Sequence, residues 1–143
     1  MIIRNATAPD VPLLASFNQQ LIVDEGHRNS MTLPEIEQRM AGWIGDSGYE
    51  AVLFEADGET VGYALFRREP EHIYLRQFFI CRDVRRQNFG RQAIDWLQRH
   101  DWKDARRVRL DVLVGNEKAI AFWRAVGFRD YCLTMEIDKT LKH

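Results

Sequence analysis

Residues 72–80 read HIYLRQFFI, with aromatic and branched side chains on both alternating faces. Neighbouring side chains of an extended chain point to opposite sides, so this strand offers apolar surface in both directions. Such a strand sits centrally in a sheet that is covered on each side. The polar stretch RRQNFGR (85–91) follows it, and Ala93, Ile94, Trp96 and Leu97 then mark one face of a helix. The central strand therefore feeds a turn that opens a helix, and the rest of the fold has to be arranged around that junction.

Upstream, IIRNA starts as a short strand. Thr7 with Asp10 has capping-box spacing, and Leu14, Phe17 and Leu21 share a helical face. The polar DEGHRNSM is a loop, Thr32 and Glu35 form a second capping box, and Ile36, Met40, Trp43 and Ile44 continue at helical spacing until Gly45. The period then changes to two, with YEAVLFEA and TVGYALFRR flanking Asp57-Gly58, a type I′ hairpin signal. Downstream, Val108, Leu110, Val112 and Val114 alternate within a strand over residues 107–114. Ala119, Phe122, Trp123 and Val126 then line a helix closed by Gly127, and Leu133, Met135 and Ile137 form a last strand. The order β-α-α-β-β-β-α-β-α-β predicts an α/β fold: a mixed, mostly antiparallel sheet of about six strands with helices on both faces. No linker or repeat interrupts it, so residues 1–143 are expected to form a single domain.

Composition excludes several function classes. Twenty basic against 21 acidic residues give a net charge of −1, which supplies no overall field for a nucleic-acid backbone. No run approaches the ~20 apolar residues of a membrane span. Cys81 and Cys132 lie far apart without metal-ligand spacing, which points to buried thiols in a reducing compartment, no metal site and a cytoplasmic location.

RRQNFGR admits two readings. One is a solvated turn. The other is an anion cradle, because a helix N-terminus carries unpaired N–H groups and partial positive charge. Gly90 offers close backbone approach, and Arg85, Arg86 and Arg91 offer charge-assisted hydrogen bonds to phosphate. The stretch resembles the acetyl-CoA signature of the GNAT superfamily of N-acetyltransferases, Q/R-x-x-G-x-G/A, with Arg85 in the first position, Gly90 in the last and Asn88 where the first glycine usually stands. VLVGNEKAIAFWRAVGF resembles the later family motif at Asn116, Ala119, Phe122, Gly127 and Phe128. Asn116 and Gly127 also suit the two caps of that helix.

The resemblance implies transfer of an acetyl group from acetyl-CoA to a primary amine of a small molecule or peptide, by direct attack on the thioester. It implies that the central strand and its neighbour splay apart to admit the pantetheine arm, held by the main chain of Phe78 and Ile80 with Phe79 between them. By the same resemblance Arg85, Arg86, Gln87, Asn88, Phe89, Gly90 and Arg91 hold the pyrophosphate, and Asn116, Phe122 and Trp123 lie beside the cofactor. Homodimers are common in the family, which allows one here. Trp123 stands where many relatives place the tyrosine that protonates the departing thiolate, leaving Tyr131 or Tyr74 as substitutes. His72 and Tyr74 share the parity of Phe78 in the absence of a bulge, and His72 is a candidate base by its ordinary pKa. Glu25 and His27 fall in the loop region that lines the family's acceptor pocket. The missing glycine and tyrosine keep a second reading open, a module that binds CoA or a related ligand with weak or no turnover.

Overall fold

In the computed structural model, which describes residues 1–26, 28–45 and 47–141, the chain opens with β1 (Ile2–Asn5) and a 3-10 turn, Ala8–Asp10. The Asp10 carboxylate accepts the Thr7 N–H at 2.8 Å, and the chain runs on into α1 (Val11–Glu25). Thr32 N–H bonds the Glu35 carboxylate at 2.9 Å to start α2 (Leu33–Ile44), and Gly45 follows its last residue. Next come β2 (Tyr49–Ala56) and β3 (Glu59–Arg68), joined through Asp57 and Gly58 at φ 53° and 80°. Two positive φ angles are what a type I′ turn requires.

β4 (Ile73–Ile80) leads into a 3-10 turn, Arg82–Gln87, and then α3 (Phe89–Arg99). β5 (Val108–Arg109) and α4 (Glu117–Ala125) complete the elements. The sheet order is β1-β2-β3-β4-β5, antiparallel except for the β4–β5 pair.

The two-faced apolar character of β4 has the expected consequence. Leu75 and Ile80 join a core with Phe66, Ile94, Leu97 and Trp102 on the α3 side, while Phe79 joins Leu14, Phe17, Met40 and Tyr63 beneath α1 and α2. Each large side chain so buried contributes about 1.5–3 kcal/mol, so both faces hold the strand in place.

Three details depart from the sequence reading. The strand expected over residues 107–114 pairs only at Ile73↔Val108 and Tyr74↔Arg109, and beyond them it diverges from β4. The last strand does not form: residues 129–137 make no backbone-to-backbone hydrogen bond among the described residues, so the sheet there has five strands rather than about six. The route accounts for this, since after α4 the chain reaches Arg109 at Tyr131 and leaves toward Arg28 at Glu136, passing a β5 only two residues long. Finally, β4 carries a bulge. Leu65 pairs with Gln77 and Phe66 with Leu75, leaving Arg76 without an opposite residue.

Candidate functional site

The divergence of β4 and β5 opens one edge of β4. Cys81 N–H bonds the Val61 carbonyl at 2.8 Å, so Cys81 and Phe79 direct their main-chain groups toward β3. Strand alternation turns those of Phe78 and Ile80 to the other edge, where the ladder to β5 has already ended. The Ile80 carbonyl is occupied there by Arg85, whose Nε donates to it at 2.8 Å.

Just past this edge lies the start of α3. Asn88 adopts φ 66° and ψ 16°, the left-handed region that asparagine tolerates better than most residues. Gln92 N–H bonds the Asn88 carbonyl at 3.1 Å, and the N–H groups of Phe89, Gly90 and Arg91 find no backbone acceptor among the described residues. That cluster of donors, with the positive end of the helix dipole behind it, favours an anion. Arg86 and Gln87 are exposed beside it.

The neighbouring arginines play a different part from the one expected. Arg82 donates to Asp24 at 2.6 and 3.0 Å, and Arg85 pairs with the other oxygen of the same carboxylate. Asp24 lies in the last turn of α1, so this clamp fastens the turn to the helix across it. Burial pushes the Asp24 carboxyl up, but hydrogen bonds from Arg85 and Arg82 outweigh that and hold it below the usual range. Arg91 Nη2 reaches the Ala125 carbonyl at 3.2 Å and ties α3 to the end of α4. Gly90 packs closely on α4, since a Cβ there would lie 3.1 Å from the Phe122 ring and the ring would have to give way slightly.

α4 closes the α3 side of the opening. The Asn116 side chain accepts the Ala119 N–H at 3.3 Å and so serves as its N-cap. The Phe122 and Trp123 rings pack on Phe78, with centroids 6.0 and 5.3 Å away, and Trp123 also meets Phe128 at 5.3 Å. The residue in the usual tyrosine position is thus committed to an aromatic cluster.

The bulge corrects the parity expected for the catalytic candidates. Ile73 and Leu75 share the face of Phe78 and Ile80, so His72 and Tyr74 lie on the α1–α2 parity instead. Tyr74 OH donates to Asp111 at 2.8 Å, and burial together with that carboxylate pushes its pKa up to about 12. Tyr74 therefore gives up its proton less readily than a free phenol. His72 precedes the strand, which at ~3.3 Å per residue puts it more than about 20 Å from the turn. Tyr131 is exposed at the base of β5, its OH accepting from Arg109 at 3.3 Å. Tyr74 and Tyr131 thus flank β5 near its start, away from the α3 N-terminus. His27 lies outside the described residues.

A polar group that sequence reasoning missed sits beneath α1 and α2. The wholly buried Tyr63 donates to Gln77 Oε1 at 2.7 Å, and Arg39 donates to the buried Asn18 at 3.0 Å. Burial raises the Tyr63 hydroxyl well above the ordinary value, and the charge of Glu25 adds to this, which places Glu25 within electrostatic reach. Burial, and then repulsion from Asp24, raises the Glu25 carboxyl to about 7. Gln77, a polar residue in a run otherwise apolar toward both cores, was the one signal for this group in the sequence. Among the described residues no cluster fit for a metal ion occurs, and no helix is long and apolar enough to cross a membrane.

The family model described as the Acetyltransferase (GNAT) family matches residues 16–128. No curated protein sequence matches the chain. Among solved structures, a point mutant of the BH1408 protein from Bacillus halodurans is 20% identical, with 96% of this chain and 99% of that one covered and a TM-score of 0.81. The aminoglycoside 6′-N-acetyltransferase AAC(6′)-IG from Acinetobacter haemolyticus is 13% identical over 99% of this chain and 100% of that one, with a TM-score of 0.76. The aminoglycoside N-acetyltransferase AAC(6′)-Iy in complex with CoA is 16% identical over 98% of this chain and 95% of that one, with a TM-score of 0.77. At these identities the likeness is one of fold.

Proposed function

The chain belongs to the Acetyltransferase (GNAT) family, and we propose that it moves an acetyl group from acetyl-CoA to a primary amine of a small molecule or peptide. One observation carries the reading: the open edge of β4 runs directly into the unpaired N–H groups that begin α3. A long donor with an amide-bearing arm and a pyrophosphate matches that sequence of an extended backbone edge and then an anion site. Phe78 holds the arm by its main chain and Ile80 by its N–H, its carbonyl being taken by Arg85, and the amides of Phe89, Gly90 and Arg91 hold the pyrophosphate. When bound, acetyl-CoA supplies an activated acyl carbon as its thioester.

Transfer requires the attacking amine to be unprotonated. Glu25, raised to about 7, is poised to accept that proton near neutral pH. Its negative form also suits a cationic acceptor drawn to the end of α1. Aminoglycoside acetyltransferases among the solved neighbours support a small polyamine as the first acceptor to try. The test is release of CoA thiol with a panel of aminoglycosides and peptide amines, with the acetylated product identified by mass. Turnover above the rate without enzyme supports the reading.

A second reading is a module that binds the donor with little turnover. It is favoured by Trp123, packed among Phe78, Phe122 and Phe128, and by a Tyr74 hydroxyl at about 12. Acetyl-CoA binding without product on the whole panel would select it.

A further inference from the structure

Trp43 carries two cations. It lies one turn after Arg39 on α2, and the guanidinium carbons of Arg39 and Arg76 stand 4.5 and 4.9 Å from its ring centroid. The two charges are therefore within about 10 Å of each other, one Debye length at 0.1 M salt. Neither has a carboxylate within ion-pair distance among the described residues. Arg67, a third arginine on this face, is neutralised by Glu69. The Tyr49 hydroxyl accepts from Arg67 at 3.2 Å and from Arg76 at 3.3 Å. Arg39 Nη2 donates to Asn18, whereas its Nε is buried without a hydrogen-bond partner. Two adjoining positive charges, one half-buried with an orphaned donor, destabilise a fold unless an anion completes them.

The bulge in β4 brings these groups together. Arg76 is its extra residue, and the Arg76 side chain falls on the same α2-side face as that of Gln77, which accepts from Tyr63. Regular alternation would have sent one of the two to the α3 side. The next residue is Phe78, whose main chain faces the open edge. The cation pair and the end of that edge thus adjoin on one strand.

We propose that Arg39 and Arg76 hold an anionic group, a carboxylate or a phosphate, of the amine that the site acetylates, so that the acceptor is a small zwitterion. This rests on the reading of the β4 edge as the donor site. Trp43 covers the guanidinium faces and leaves their N–H edges to the anion, where charge-assisted hydrogen bonds are directional. The acid lies on another side of the same floor. Glu25 and Arg39 both act electrostatically on the Tyr63 hydroxyl, while the charge that moves Glu25 is Asp24 and the one that moves Arg39 is Arg76. An acceptor lying over Tyr63, with its amine toward Glu25 and its anion toward the arginines, complements both ends. A polyamine brings no anion to the two cations and serves as the contrast.

The experiment uses matched amines that differ in the anion: glycine, β-alanine and 4-aminobutyrate against their carboxamides, and O-phosphoethanolamine against ethanolamine, with kanamycin as the polyamine. Calorimetric titration into the unaltered chain needs no donor, and acetyl transfer is then followed with the same set. At least one charged member is expected to bind about 10-fold or more tighter than its uncharged partner, with the same preference in kcat/KM carried by KM. The carboxylate and phosphate pairs tell which anion is held. Arg39→Gln and Arg76→Gln should each cut the preference by at least about 5-fold, while Arg68→Gln, which breaks the exposed pair with Glu50, should keep it. Arg76 is exposed, so its replacement leaves the core intact. Anion-selective binding without any transfer would sustain the proposal and sink the transfer reading. Transfer to carboxamides, ethanolamine or kanamycin as good as to the charged amines would overturn the proposal and leave the transfer reading standing. No binding of any charged member at about 10 mM, or a preference unchanged in Arg76→Gln, would overturn it as well.

Discussion

Replacing Glu25 by glutamine tests the electrostatics of the site through stability alone. The folded chain raises this carboxyl from its ordinary 4.5 to about 7, with burial the larger cause and Asp24 the smaller. Between those values the folded state binds a proton that the unfolded state has lost, so this group's contribution to stability falls as pH rises from 4.5 to 7. Above 7 the penalty is fully present. The gap corresponds to roughly 3 kcal/mol at about 1.36 kcal/mol per pH unit, which solvent screening of a partly exposed group cuts to about 1–2 kcal/mol. Glutamine keeps the shape and carries no charge, and at a helix C-terminus the loss of a negative charge acts in the same direction. Glu25→Gln should therefore raise Tm at pH 8 by about 3–8 °C and leave it unchanged near pH 4. Thermal unfolding followed by circular dichroism across that range reads the difference directly. A variant that is equally or less stable at pH 8 would refute the reasoning.

Two further substitutions probe the frame of the site. A methyl on Gly62 would lie 2.0 Å from the Phe79 carbonyl oxygen, a backbone atom that cannot swing aside, so Gly62→Ala should cost roughly 3 kcal/mol in urea unfolding. A loss under about 1 kcal/mol would show that the β3–β4 spacing is looser than described. Asn88→Gly removes an exposed side chain that makes no capping bond at the mouth of α3 and suits the left-handed backbone. Calorimetric titration should show acetyl-CoA binding roughly 3–10-fold tighter, and weaker binding would mean that the Asn88 amide contacts the ligand.

Local chemistry was legible in the sequence, while long-range partners were not. Asp57-Gly58, the two capping boxes and the left-handed Asn88 all depend on residues within a few positions, and each stands as its spacing implied. The central place of β4 followed from apolar residues on both its faces. The bulge at Arg76 left no such mark, because it is set by pairing with β3, and it reversed the side on which Tyr74 falls. Arg85 has every attribute of a phosphate ligand until Asp24, 61 residues away, is seen to take its guanidinium. The group of Asn18, Arg39, Tyr63 and Gln77 comes from four different elements, so no spacing could reveal it. At the C-terminus the alternation of Leu133, Met135 and Ile137 is strand-like, yet no strand forms there, because alternation does not say what supplies the neighbour.

The central claim is that the open edge of β4 and the start of α3 receive acetyl-CoA. Thermal unfolding with excess acetyl-CoA, and with ATP as the control, tests it most directly. A ligand at ~100 times its Kd stabilises the folded state by about 2.7 kcal/mol, or roughly 5–10 °C for a chain of this size. A rise of that order with acetyl-CoA and none with ATP is the predicted result. No rise at millimolar acetyl-CoA would contradict the assignment of this edge and turn as the donor site.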